Sequence, residues 1–179
     1  MSHNRTLLMA LLAASLAGCF GSKEGPPPPP PLPPTRIELH VEASKNINPN
    51  AEGRSSPVLL RIYELKGLAG FNAADYFALL EKDQSALGGD LGRKRELMLR
   101  PGETQTLILQ PEDASGFFAA YAGFRDLQSA RWRVSASVMP HTNSIFGLKL
   151  EGNQLILTTP NAQKVLPEPS APANEAPKK

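Results

Sequence analysis

From residue 35 onward, apolar and polar positions alternate with a period of two, interrupted by Gly, Pro, Asn and Ser. In Thr35 to Ala43, Ile37, Leu39 and Val41 alternate with Arg36, Glu38, His40 and Glu42. Successive side chains of a strand point to opposite faces, so this pattern predicts a half-buried strand with His40 in solvent. Pro57 to Lys66 is a second strand, but both of its faces are partly apolar: Val58, Leu60 and Ile62 on one, Leu59, Tyr63 and Leu65 beside Arg61 on the other. The segment that follows is placed to cover one of those faces. Its Asn72 is read as the N-cap of a helix over Ala73 to Lys82, with Asp75 as a shortened capping box and Phe71 stapling against Tyr76. Tyr76, Phe77, Leu79 and Leu80 form the apolar stripe of that helix, a packing surface rather than a cofactor box, and Gly88 and Gly89 end it.

The rest of the chain returns to strands. Arg93-Lys94-Arg95 reads as a solvated turn leading into a strand over Glu96 to Arg100. Pro101-Gly102 is a turn, and Glu103 to Gln110 alternates again. Phe117 to Phe124 is almost continuously apolar, as for a strand covered on both faces. Ala130 to Val138 puts Trp132, Val134, Ala136 and Val138 on one side, with Trp132 a core residue. Ile145 to Leu150 and Gln154 to Thr159 flank Glu151-Gly152-Asn153 as a terminal hairpin. About eight short strands with one short helical insertion predict an all-β protein, a β-sandwich rather than an α/β fold. The connection Ser44 to Ser56 is long for a strand–strand link, and Ile47 stands alone in it among polar residues. Two readings remain open for it: a mobile loop with one apolar contact, or a loop that binds a partner.

The N-terminal flank carries a different pattern. Arg5 precedes an apolar run over Thr6 to Ala14, and small residues lead to Leu16-Ala17-Gly18-Cys19. A spanning helix needs roughly 20 apolar residues, so this run reads as a secretory signal. Leu-Ala-Gly-Cys is similar to a bacterial lipobox, which implies cleavage before Cys19 and acylation of its thiol. The bland alternative is an ordinary signal peptide that leaves a spare thiol. The residue after the cysteine is Phe20, not Asp, and similarity to Gram-negative lipoprotein sorting signals implies the outer membrane. Pro26 to Pro31, Leu32, Pro33 and Pro34 should form a polyproline II rod of about 28 Å. It is a stiff spacer or, less simply, a ligand for a proline-reading groove. The expected organisation is a signal over 1–18, lipidated Cys19 and tether over 19–34, a β-sandwich over 35–159, and a disordered proline-rich tail over 160–179.

Composition narrows the chemistry. With 19 Lys and Arg against 17 Asp and Glu, the net charge of +2 gives no electrostatic drive toward nucleic acid. One cysteine allows no disulfide framework, and the two histidines beyond the signal, His40 and His141, are not at metal-ligand spacing. No strand–turn–helix elbow frames a serine, and Gly67, Gly70, Gly88, Gly89 and Gly92 do not form a phosphate-cradling loop. Asp75, Glu81 and Asp83 read as helix-surface charges. The expectation is a non-enzymatic protein with no cofactor.

Several short stretches together resemble one family: Asn46-Ile47-Asn48-Pro49-Asn50, Pro57 to Leu65, Phe71-Asn72-Ala73-Ala74-Asp75-Tyr76-Phe77, Pro101-Gly102-Glu103, Phe124-Arg125-Asp126 and Trp132-Arg133. In that order behind a lipobox, they resemble the outer-membrane lipoprotein of type VI secretion systems, the TssJ (SciN/VasD) family. The resemblance implies a transthyretin-like β-sandwich, no catalysis, and a periplasm-facing domain. It also implies a partner: the periplasmic domain of the inner-membrane protein TssM, with TssL in the same complex. The family's binding loop lies between the first two strands, which here puts Asn46, Ile47, Asn48, Pro49 and Asn50 at the contact. Deleting those five residues is then expected to weaken TssM binding and spare the fold. The long proline spacer and the proline-rich tail depart from the family pattern. A rival class is a lipoprotein that binds a glycan or cell-wall polymer through aromatics such as Tyr63 or Tyr121.

Overall fold

The structure, a computed structural model, describes residues 29–112 and 115–159. The signal over 1–18, Cys19, the tether before Pro29 and the tail over 160–179 lie outside the described residues.

Among the described residues, eight strands form two four-stranded sheets, as the alternation predicts. They are β1 (Arg36–Ala43), β2 (Val58–Leu65), β3 (Leu91–Leu99), β4 (Thr104–Leu109), β5 (Phe117–Ala122), β6 (Arg133–Ser137), β7 (Asn143–Glu151) and β8 (Gln154–Thr158). One sheet has the order β4-β1-β7-β8 and the other β3-β2-β5-β6. The terminal hairpin β7–β8 forms as read, and β1 lies in the middle of its sheet, antiparallel to β4 and parallel to β7. That parallel pairing, Arg36 opposite Asn143 through Ala43 opposite Leu150, joins segments more than a hundred residues apart.

The inward alternation of each strand makes the main core. Ile37, Leu39 and Val41 meet Val58, Leu60 and Ile62 from the facing sheet, and Phe118 stacks on Phe146 at 5.8 Å between ring centres. A second core explains why β2 and β5 are apolar on both faces. Two helices, α1 (Ala69–Ala73) and α2 (Tyr76–Leu87), lie on the outer face of the β2 sheet and bury Tyr63, Leu65, Phe71, Leu79, Leu87 and Tyr121 there. Trp132, partly buried, packs against both cores.

The insertion departs from its sequence reading. It is two helices, and Asp75, not Asn72, caps the longer one, its Oδ1 accepting from the Ala78 N–H at 2.7 Å. Phe71 therefore sits four residues ahead of the cap, too far to act as a staple, and fills the second core edge-on to Tyr63 instead. The buried stripe is Leu79, Asp83 and Leu87, spaced by four, whereas Phe77 points outward at 60% exposure. The helix ends at Gly88, whose φ of +52° stops the winding. The short helix approaches the long one closely at Gly70, where a Cβ would sit 2.7 Å from the Ala86 carbonyl oxygen. The basic triplet is also misread as a turn, since Arg93, Lys94 and Arg95 lie within β3. As exposed charges on an edge strand, they discourage edge-to-edge pairing.

Asp83 is a further correction, because it is buried rather than a surface charge. Its Oδ2 accepts from Lys94 Nζ at 2.8 Å and from Tyr63 Oη at 3.3 Å, and lies 3.4 Å from Arg61 Nη1. Arg61 Nη1 also donates to the carbonyls of Leu79 at 2.7 Å and Leu80 at 3.2 Å, and Nη2 pairs with Glu96 at 2.5 Å. Those carbonyls precede a kink at Lys82 (φ −137°), where the helical ladder breaks and frees acceptors. Burial alone would raise the Asp83 pKa, but the Lys94 hydrogen bond and charge, the Gln84 N–H and Arg61 outweigh it and hold it below the usual carboxylate value. A lowered folded pKa stabilises above the unfolded value, and that contribution disappears as pH falls through the folded one. The contribution of Asp83 should therefore be steady from neutrality down to about pH 4 and decline below it. Asp83→Asn should lower the melting temperature at pH 7 and shrink the further drop between pH 4 and pH 2, as read by circular dichroism.

Candidate functional site

The strand directions sort the connections into two ends. The chain enters β1 at Arg36, beside the segment linking β6 to β7, where the His141 N–H donates to Thr35 Oγ1 at 2.9 Å and the His141 ring meets the Pro33 carbonyl at 2.9 Å. Eight residues later β1 delivers the chain to the loop over 44–57, at the opposite end. Strand rise puts these ends about 26 Å apart. The β3–β4 turn, the β5–β6 loop over 123–132 and the β7–β8 turn share the far end with that loop, since Gly102 donates to Ser44, Asn48 donates to Gly152, and Asn153 accepts from Arg131.

The five loop residues named from the sequence divide into framework and surface. Ile47 is fully buried, joining the main core, so the loop is pinned to the domain by its one apolar side chain. Asn48 is 3% exposed and adopts a φ of +46°, a left-handed conformation that Asn tolerates better than most side chains. Its Nδ2 donates to the Pro57 carbonyl at 2.9 Å, and its Oδ1 accepts from the Arg125 N–H at 2.9 Å. One amide thus ties the loop's exit to the β5–β6 loop. Asn46 is exposed, and Pro49 and Asn50 are half-buried. Asn50 organises the tip: its Oδ1 accepts from the Arg54 N–H at 2.8 Å and its carbonyl accepts from the Gly53 N–H at 2.9 Å. Ala51, Glu52, Gly53 and Arg54 are the exposed crown. The loop is therefore a fixed platform with a solvent-facing tip.

Two shallow clefts flank it. One, of about 460 Å³, runs between Pro49, Asn50 and Ala51 on one side and Arg125, Asp126 and Asn153 on the other. The second, of about 410 Å³, lies past Asn153 toward Asn46 and Ser129. The sequence reading missed Arg125, Asp126 and Asn153 as surface residues of this end, although Phe124-Arg125-Asp126 stood out as a motif. Among the described residues, no cluster of three or more His, Cys, Asp or Glu side chains could hold a metal ion, and no helix is long and apolar enough to cross a membrane. Tyr63 and Tyr121, the aromatics named for a glycan surface, are both fully buried in the second core. Burial pushes the Tyr63 hydroxyl up to about 12, and no face of either ring is open to a sugar.

Comparison with known proteins gives this end its context. A family model, T6SS-SciN, described as type VI secretion lipoprotein (VasD, EvfM, TssJ), matches residues 35–153. The chain belongs to this family. The match spans the sandwich from the residue before β1 to the β7–β8 turn, so it takes in the whole far end. Among solved structures, the T6SS lipoprotein TssJ1 from Pseudomonas aeruginosa is similar at 37% identity and a TM-score of 0.70, over 71% of this chain and 97% of that one. A chain of a type VI membrane complex is 31% identical with a TM-score of 0.61, over 69% of this chain and 98% of that one. A chain of a structure described as the T6SS protein TssM C-terminal domain (869-1107) from EAEC is 29% identical with a TM-score of 0.56, over 69% and 98%. A sequence search of curated proteins finds no significant match. The two four-stranded sheets with their helical insertion agree with the transthyretin-like sandwich that the family resemblance implies.

Proposed function

We propose that this type VI secretion lipoprotein is held in the outer membrane by acyl chains on Cys19 and presents its far end to the periplasmic domain of TssM, so tethering the envelope-spanning complex that also contains TssL. Its role is attachment, without catalysis. The observation that carries this reading is the placement of the two ends: the chain enters β1 at one end, and the β1–β2 loop leaves from the other. A binding loop at that position faces away from the bilayer and toward the periplasm. The long proline run extends the reach further, at about 3.1 Å per residue.

A second observation supports the partner. The chain matched in the structure described as the TssM C-terminal domain is covered to 98% by an alignment that uses 69% of this chain. It is sandwich-sized, roughly half the length of the range 869–1107, which fits a TssJ-like chain lying beside that domain.

The anchor is tested by Cys19→Ser. Each buried methylene contributes ~0.8 kcal/mol and a single acyl chain binds only reversibly, so loss of all acylation should release the protein. Expected are no incorporation of labelled palmitate and transfer from the outer-membrane to the soluble fraction. Palmitate-free wild-type protein would refute the anchor. Co-purification of the wild-type protein with the cognate TssM periplasmic domain tests the partner.

A further inference from the structure

We infer that the partner is gripped on two sides, with the β1–β2 loop as one wall of the seat and Arg125, Asp126 and Asn153 as the other, and that the segment it takes is extended and carries charges of both signs. The inference rests on the proposed attachment role and extends it to residues outside the β1–β2 loop.

Three features of the second wall support it. First, it is built as rigidly as the first. The Arg125 backbone is fixed by Asn48 Oδ1, the Asn153 carbonyl accepts from the Arg131 N–H at 3.1 Å, and the Asp126 carboxylate accepts from Ser129 Oγ at 2.5 Å. Rigid walls bind with less ordering cost than free loops do. Second, the wall offers opposite charges side by side. The Arg125 and Asp126 side chains are both exposed, and the Ser129 hydroxyl and N–H hold the Asp126 pKa below the ordinary value, so the carboxylate stays ionised. Such a pair favours a segment of matching alternating charge over a purely acidic or basic one. Third, Asn153 lines both clefts, so a segment crossing from one to the other passes it. Cleft volumes of this size admit a few side chains of an extended strand and not a folded domain.

The test uses full-length lipidated protein in detergent and the purified periplasmic domain of the cognate TssM, with affinity read by biolayer interferometry. Arg125→Glu and Asn153→Ala are compared with the loop-tip variant Ala51→Arg, and melting temperatures verify folding. Arg125→Ala replaces Arg125→Glu if the charge reversal lowers the melting temperature. At least tenfold weaker binding by Arg125→Glu and by Asn153→Ala, with unchanged melting, supports the second wall. Wild-type affinity in both, with Ala51→Arg weakened, overturns it and leaves the attachment role standing. No binding by the wild-type protein overturns the attachment role itself and this inference with it.

Discussion

Arg61→Leu should cost the domain about 3–5 kcal/mol of unfolding free energy, the usual consequence of deleting one partner of a buried ion pair. Arg61 is 7% exposed, and its guanidinium serves acceptors on two other elements: two helix carbonyls, Asp83 from the helix, and Glu96 from the neighbouring strand. Leucine keeps much of the volume but leaves the Leu79 and Leu80 carbonyls unpaired and Asp83 with only Lys94 for charge compensation. Arg61→Lys should fail nearly as badly, because one ammonium cannot span both groups. Total stability of such domains is about 5–15 kcal/mol, so the loss is a large fraction of it. A shift of the urea midpoint with unchanged slope would register it. A midpoint within experimental scatter of wild type would mean that the helices stay on the sheet through their apolar contacts alone.

The second large effect sits in the loop itself. Ile47→Ala should cost about 2–5 kcal/mol, as for other large-to-small changes in a fully buried site. Deleting residues 46–50 should then cost the fold as well as the contact, against the expectation drawn from sequence, because it also removes the Asn48 amide that joins two loops. Substitution at the exposed crown is the discriminating experiment. Ala51→Arg should leave the melting temperature unchanged within about 1 °C while weakening TssM binding. Thermal denaturation of Ile47→Ala at the wild-type temperature would show the loop to be independent of the core.

The sandwich was legible because period two is strong in β1, β4 and the final hairpin, where each strand has one face toward the core. The doubly apolar character of β2 correctly announced a covering layer. Capping was read one turn early: Asn72 and Asp75 are both good cap residues, and only the geometry of α2 selects Asp75. Asp83 looked like surface charge because its partners, Arg61 and Lys94, are 22 and 11 residues away. Ile47 was visible as an odd apolar residue, yet its burial depends on a core assembled from both sheets. The parallel β1–β7 pairing left no local trace, since its register is set by strands far apart in sequence. The candidate site was half legible for the same reason: the β1–β2 loop is one stretch of sequence, whereas Arg125, Asp126 and Asn153 join it only in three dimensions.

One feature of β1 bears on what happens when the cell envelope is stretched. With anchor and partner placed as proposed, tension between them would be directed along the axis of this strand. The ladders to β4 and β7 lie across that axis, from Glu42–Thr104 to Ile37–Leu109 and from Arg36–Asn143 to Ala43–Leu150. Drawing β1 along its axis against its two neighbours would load both rows of hydrogen bonds together instead of unzipping them one at a time, so a strand paired on both edges resists being pulled from its sheet.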